Sequence, residues 1–165
     1  MVRSVLFACC FLALGWGLAA RRCPPNFNQV GHKCLYISPE KADWFTADRF
    51  CGSLRAELYV ADDSDDKMLL TEYLSTHDLI AERYWDSMWA GINCLGNNRN
   101  FVRAKDGSAV FLDWMRAEPN NRGGDEDCVS FVNYEGDWGS GYLDVKCSLD
   151  LKYICQIYAK RFIKF

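Results

Sequence analysis

Glu118-Pro119-Asn120-Asn121-Arg122-Gly123-Gly124-Asp125-Glu126-Asp127 runs directly into Cys128-Val129-Ser130-Phe131-Val132. The first ten residues combine proline, asparagine, paired glycines and four acidic side chains, a mixture that excludes a regular element. The five that follow form a short apolar, β-prone run ending a polar loop at a cysteine. A long acidic loop leading into the start of a strand is the organising feature of the sequence around it.

On the N-terminal side, Met88-Trp89-Ala90-Gly91-Ile92 suits a buried strand, and Val110-Phe111-Leu112-Asp113-Trp114 predicts another. Further back the period changes. Trp44, Ala47, Phe50, Cys51 and Leu54 recur at helical spacing from about Pro39 onward. A second helix is expected from Ser64, with Ser64 as its N-cap, Asp65 and Asp66 in its first turn, and Met68, Leu69, Tyr73 and Leu74 on its apolar side. The stretch from Cys23 to Ile37 predicts a hairpin turning near Gly31. On the C-terminal side, Leu151 to Gln156 predicts a last strand. The sum is an α+β domain: two early helices, then sheet and one long polar loop region.

Arg3, the apolar run Val5 to Ala20 and the small residues that close it predict a signal peptide over residues 1–20. The run is short for a bilayer span, and no later stretch is apolar for long enough, so a secreted, extracellular protein with no transmembrane segment is expected. The domain then covers 21–156, and 157–165 is a short basic, apolar tail. Nine cysteines are present, of which Cys9 and Cys10 leave with the signal. The remaining seven suit an oxidising compartment and lack the paired clusters of a structural zinc site. Six of them allow fifteen connectivities. The seventh is either a buried thiol or a bridge to a second chain.

A formal net charge of −3 removes any bulk electrostatic case for nucleic acid. The only histidines, His32 and His77, stand in the expected hairpin and helix, away from any nucleophile motif. No catalytic residues are assigned, and the protein is expected not to be an enzyme.

Several segments, in order, resemble one family. Trp89-Ala90-Gly91-Ile92 is similar to the core Trp-Ile-Gly-Leu signature of C-type lectin domains. Glu118-Pro119-Asn120 matches the family's mannose-type tripeptide, Glu126-Asp127-Cys128-Val129 resembles the segment after it, and Tyr142-Leu143-Asp144 stands where Trp-Asn-Asp is usual. The resemblance runs from about Cys23 to Gln156. It implies a C-type lectin-like fold of two helices, antiparallel sheets and a long calcium- and sugar-binding loop. It also implies the pairings Cys23–Cys34, Cys51–Cys155 and Cys128–Cys147, which leave Cys94 unpaired or bridging to a dimer.

The same resemblance implies one Ca²⁺ site formed by Glu118, Asn120, Glu126 and Asp144, four oxygen-bearing residues of the kind a hard cation requires. In the family the peptide bond before the proline is cis, the X-Pro bond being the one that reaches cis at modest cost. These four residues also contact sugar: a carboxylate accepts from a hydroxyl, and an amide donates to one. The Glu-Pro-Asn order implies glycans of mannose, fucose or N-acetylglucosamine type. Asn121 replaces an acidic residue that a second calcium site uses in the family. Leu143 replaces the usual asparagine and offers calcium no oxygen, which opens an alternative: a calcium-independent protein-interaction domain of the same fold.

Overall fold

The computed structural model describes residues 23–134 and 136–159, with no account of the Asp137 side chain. The expected signal peptide, residues 1–20, and most of the expected C-terminal tail, 157–165, fall outside the described residues.

Cys23 enters a hairpin of β1 (Asn28–Val30) and β2 (Lys33–Ile37), with Val30 opposite Lys33. The two-residue link needs a left-handed first position, and Gly31 supplies it at φ 56°. The helix α1 (Trp44–Ser53) starts later than the Pro39 expectation, because Asp43 caps it by accepting from the Thr46 N–H at 2.9 Å. Ala42, just before, pairs with Leu151 as an isolated bridge. Trp44, Ala47 and Cys51 are buried as expected, whereas Phe50 and Leu54 are each 37 % exposed.

After β3 (Glu57–Leu58) comes α2 (Ser64–Thr76). Its N-cap is Asp63, which accepts from the Asp66 N–H, so the expected cap residue Ser64 is already the first helical residue. The buried stripe is also rotated from expectation. Asp66, Leu70 and Leu74 face inward, while Met68 is 61 % exposed. The reason is electrostatic: Asp66 is buried to meet Lys33, and that contact sets which face of the helix turns in.

The remaining strands are β4 (Met88–Asn93), β5 (Val102–Arg103), β6 (Cys128–Asn133), β7 (Ser140–Val145) and β8 (Lys152–Tyr158). The sheet runs β1-β2-β8-β4-β6-β7, with β3 also on β8 and β5 also on β4. All these pairings are antiparallel except β4 with β8, which is parallel through Met88↔Lys152 and Trp89↔Tyr153. The sheet is therefore mixed, and the α+β class stands. Residues 110–114 form no strand. Only Trp114 makes a bridge, to Tyr142, and the segment packs its apolar side chains on the core as irregular chain.

Two tryptophans fasten α1 to the sheet. The Trp44 indole N–H donates to the Ala90 carbonyl at 2.9 Å, and the Trp89 N–H donates to the Ala42 carbonyl at 2.7 Å. Each indole thus buries its ring without leaving its one donor unpaired. Gly91, two residues after Trp89 in β4, is glycine for a steric reason: a Cβ there would sit 2.5 Å from the Leu58 carbonyl oxygen. The strand must approach β3 that closely for the Gly91 N–H to reach the Tyr59 carbonyl at 2.8 Å.

The three disulfides are those the resemblance implied: Cys23–Cys34, Cys51–Cys155 and Cys128–Cys147. The first closes the hairpin, the second joins α1 to β8, and the third anchors β6 just after the acidic loop.

Candidate functional site

The strand β7 fixes one wall of the site. Pairing with β6 sets Asp144 opposite Val129 and Leu143 opposite Ser130. Tyr142 and Asp144 point to one face of the sheet and Leu143 and Val145 to the other. Tyr142 goes into the core, where its hydroxyl accepts from the Ala61 N–H at 3.0 Å. Asp144, opposite Val129, has a fully buried side chain.

The irregular chain from Glu118 to Asp127 folds over Asp144. Asp144 Oδ1 accepts from the Asn120 N–H and Oδ2 from the Asn121 N–H, both at 2.9 Å. The Asn121 side-chain oxygen accepts from the Glu126 N–H at 3.2 Å, and the Glu126 carboxylate accepts from the Arg122 N–H at 2.5 Å. The Glu118–Pro119 peptide bond is cis. Asn120 turns its amide back so that Nδ2 donates to both Glu118 carboxylate oxygens, at 2.7 and 2.8 Å.

Glu118, Asn120, Glu126 and Asp144 therefore line a single open cavity of about 1020 Å³. Tyr84 and Trp138 form part of its rim, and Leu143 contributes an apolar patch to the same wall. Trp138 is 77 % exposed. Leu143 also belongs to the apolar cluster containing Val145 and Trp89, so hydrophobic packing retains it there.

The carboxylates repel one another across this cavity. Burial, followed by the neighbouring Asp144 carboxylate, pushes the Glu118 carboxyl up to about 7. Burial also raises Glu126; the Arg122 N–H opposes that rise, and the Asp144 charge adds to it. Burial pushes Asp144 up as well, but a hydrogen bond from Glu118, the Arg99 guanidinium and the two loop N–H groups outweigh it and hold the carboxyl below its usual range.

This donor set fits calcium chemically. Three carboxylates and an amide share one cavity, and their mutual repulsion is what a dication would relieve. Four side chains fall short of six to eight oxygens, so water or ligand hydroxyls complete any shell. Among the described residues, no three Asp, Glu, His or Cys side chains converge tightly enough to cage an ion as they stand. The geometry explains this: Asn120 engages Glu118, and Arg99 engages Asp144.

Arg99 is the residue that the sequence did not reveal. Its guanidinium forms an ion pair with Asp144 Oδ2 and donates to the Glu126 carbonyl, so it touches two of the four expected residues. It stands in Asn97-Asn98-Arg99-Asn100, at no spacing that would tie it to residues 118–127.

Cys94 is 2 % exposed and unpaired. Its thiol donates to Asp127 at 3.4 Å, and burial followed by that contact pushes it up to about 11. A thiol so buried and so weakly acidic is poorly placed to bridge to another chain. We expect the native protein to migrate as a monomer on a non-reducing gel and to react with a thiol reagent only after unfolding.

Comparisons with known proteins agree with this architecture. The family model for the lectin C-type domain matches residues 40–157. A perlucin-like protein of Mytilus galloprovincialis is 29 % identical over 148 residues, covering 87 % of this chain and 88 % of that protein. The carbohydrate-recognition domain of cow CD23, solved in the presence of a GlcNAc2Man3 oligosaccharide, superposes with a TM-score of 0.69 at 22 % identity, covering 86 % of this chain and 99 % of that one. Herring type II antifreeze protein superposes with a TM-score of 0.67 at 21 % identity, covering 84 % of this chain and 100 % of that one. With a family match over most of the described residues, a shared fold and three disulfides in place, this chain belongs to the C-type lectin domain family.

Proposed function

We propose that the protein is a secreted, Ca²⁺-dependent lectin that binds glycans of mannose type and has no catalytic activity of its own. The observation that carries this reading is the convergence of Glu118, Asn120, Glu126 and Asp144 on one open cavity. When bound, Ca²⁺ supplies a concentrated positive charge with coordination positions that two neighbouring hydroxyls can fill. Glu118 accepts a hydrogen bond from a sugar hydroxyl, and the Asn120 amide donates one back. Asp144, braced by the loop N–H groups, holds the floor of the site. Tyr84 and Trp138 at the rim offer aromatic faces to the apolar face of a sugar ring.

Secretion follows from the reading of residues 1–20 as a signal peptide, and among the described residues no helix is long and apolar enough to cross a membrane. The biological role on this reading is glycan recognition, in innate defence or at cell surfaces. The cow CD23 domain, solved in the presence of a mannose-containing oligosaccharide, is consistent with it.

A second reading has its own observations. Leu143 adds no oxygen to the cavity, and Arg99 already meets Asp144. Both suit a domain of this fold that binds a protein without calcium.

Thermal unfolding separates the two readings. A ligand that binds only the folded state raises the midpoint by an amount set by its concentration over Kd. With ~5 mM CaCl₂ against EDTA, a concentration above the weakest affinities of extracellular calcium modules, the midpoint should rise by several degrees. Mannose should raise it further and galactose should not, and Glu118→Ala should abolish both shifts. A midpoint indifferent to calcium would reject the lectin reading in favour of the protein-binding one.

A further inference from the structure

The loop that carries Glu118, Asn120 and Glu126 has a cation of its own. The Asp144 side chain is fully buried, and a buried carboxylate is tolerated only when paired and hydrogen-bonded. Arg99 provides the pairing. One arm of its guanidinium meets Asp144 Oδ2, and the other donates to the Glu126 carbonyl and lies 3.8 Å from Asp127. The guanidinium lies over the Phe101 ring, its carbon 4.8 Å from the centroid. Arg99 thereby joins strand β7, where Asp144 sits, to the far end of the 118–127 loop. Its backbone is left-handed, at φ 61°, a conformation uncommon for a residue other than glycine and retained where surrounding contacts over-determine it. The near end of the loop is tied to the same carboxylate through the Asn120 and Asn121 N–H groups.

We propose that Arg99 is a built-in cation that holds the 118–127 loop in its binding shape through Asp144 and the Glu126 carbonyl, so that the loop is ordered without calcium and the metal is needed only for ligand. Arg99 is a positioning residue on this account: it orders the residues that touch ligand and does not itself need to reach it. The proposal deepens the lectin reading but is tested separately, because its measurement is made in EDTA, where no calcium acts.

The test is amide hydrogen exchange of the disulfide-intact protein in EDTA, read at the Asn120 and Asn121 N–H groups and at Phe131 in β6 as a reference for the global fold. In the wild type, Asn120 and Asn121 should exchange slowly, as hydrogen-bonded amides do. In Arg99→Met, which keeps an unbranched apolar stem but no charge, they should exchange about tenfold faster or more while Phe131 keeps its protection. Arg99→Lys, which keeps the charge but loses the fork, should recover part of the protection. Two results would overturn the proposal: a wild-type loop that exchanges at open-chain rates in EDTA, which needs no variant to detect, or an Arg99→Met loop as protected as wild type.

Discussion

Replacing Lys33 by methionine should destabilise the protein by about 3–5 kcal/mol, the range for stranding one member of a buried ion pair. Lys33 has no exposed surface, yet it carries a charge. Its ammonium lies 2.5 Å from Asp66 Oδ2, donates to the Val60 carbonyl at 2.6 Å, and sits over the Tyr59 ring, 4.9 Å from the centroid. Asp66 is 3 % exposed and also accepts from the Asp62 N–H at 3.0 Å. Methionine fills most of the lysine's volume, so the loss comes from the Asp66 charge left in a low-dielectric interior and not from a void. In a domain of this size the midpoint should fall by roughly 10–15 °C. The double variant Lys33→Met with Asp66→Leu isolates the cause. With both buried charges gone it should recover part of the loss, since buried pairs exchanged for apolar residues are often neutral, while Asp62, 3.2 Å from the ammonium and partly exposed, still loses its partner. A double variant no more stable than the single would show that packing, and not the unpaired carboxylate, sets the penalty.

Removing the Cys51–Cys155 bridge should cost about as much, for a different reason. The two cysteines are 104 residues apart, and the cross-link confines nearly the whole unfolded domain. In the chain-entropy model a loop of that length corresponds to about 4.7 kcal/mol at 25 °C, against about 2.8 kcal/mol for a bridge spanning 11 residues such as Cys23–Cys34. Cys51→Ala with Cys155→Ala should therefore lower the denaturation free energy by about 2 kcal/mol more than Cys23→Ala with Cys34→Ala. Both half-cystines of the long bridge are also fully buried, so loss of their sulfur atoms adds to the difference. Urea denaturation of the two double variants measures it. Equal losses would mean that loop closure in the unfolded chain is not what the long bridge contributes.

These two effects bear on the binding site because of where they act. Lys33 and Asp66 set the rotation of α2 against β2, and the long bridge holds α1 to β8. Together they fix the rigid side of the molecule, against which the irregular loop can be arranged by a few polar contacts. The loop is held by Asp144, Arg99 and its own amides, with little apolar burial, so its order rests on these few polar contacts.

Local chemistry made much of this legible from the sequence. Gly31 marked the hairpin because only a left-handed residue closes so short a link, and Trp44, Ala47 and Cys51 showed α1 by their period. The acidic, glycine-rich stretch from Glu118 to Asp127 excluded regular structure by composition, and its resemblance to a known family supplied the disulfide pairing and the expected site. Long-range pairing decided what the sequence could not. The face of α2 was misread because Asp66 is polar, and only the presence of Lys33, 33 residues away in the chain, makes its burial favourable. Residues 110–114 have the composition of a strand, but the segment meets β7 only around Tyr142, through Asp113 to Met115, and the rest packs its apolar side chains on the core as irregular chain. The strand β7 was not foreseen, since its alternation of Tyr142, Leu143, Asp144 and Val145 mixes core, cavity wall and buried carboxylate within four residues. Arg99 is the clearest case. An arginine among asparagines has no local signature, and its role comes from a contact with Asp144, 45 residues away, that exists only once β7 and the 95–100 turn are brought together. Periodicity, turn chemistry and cysteine count are properties of neighbouring residues, and the sequence alone determined what depends on them. Which charges are buried, and what they are paired with, is a property of the folded chain, because a charge enters the interior only where the tertiary structure delivers its partner.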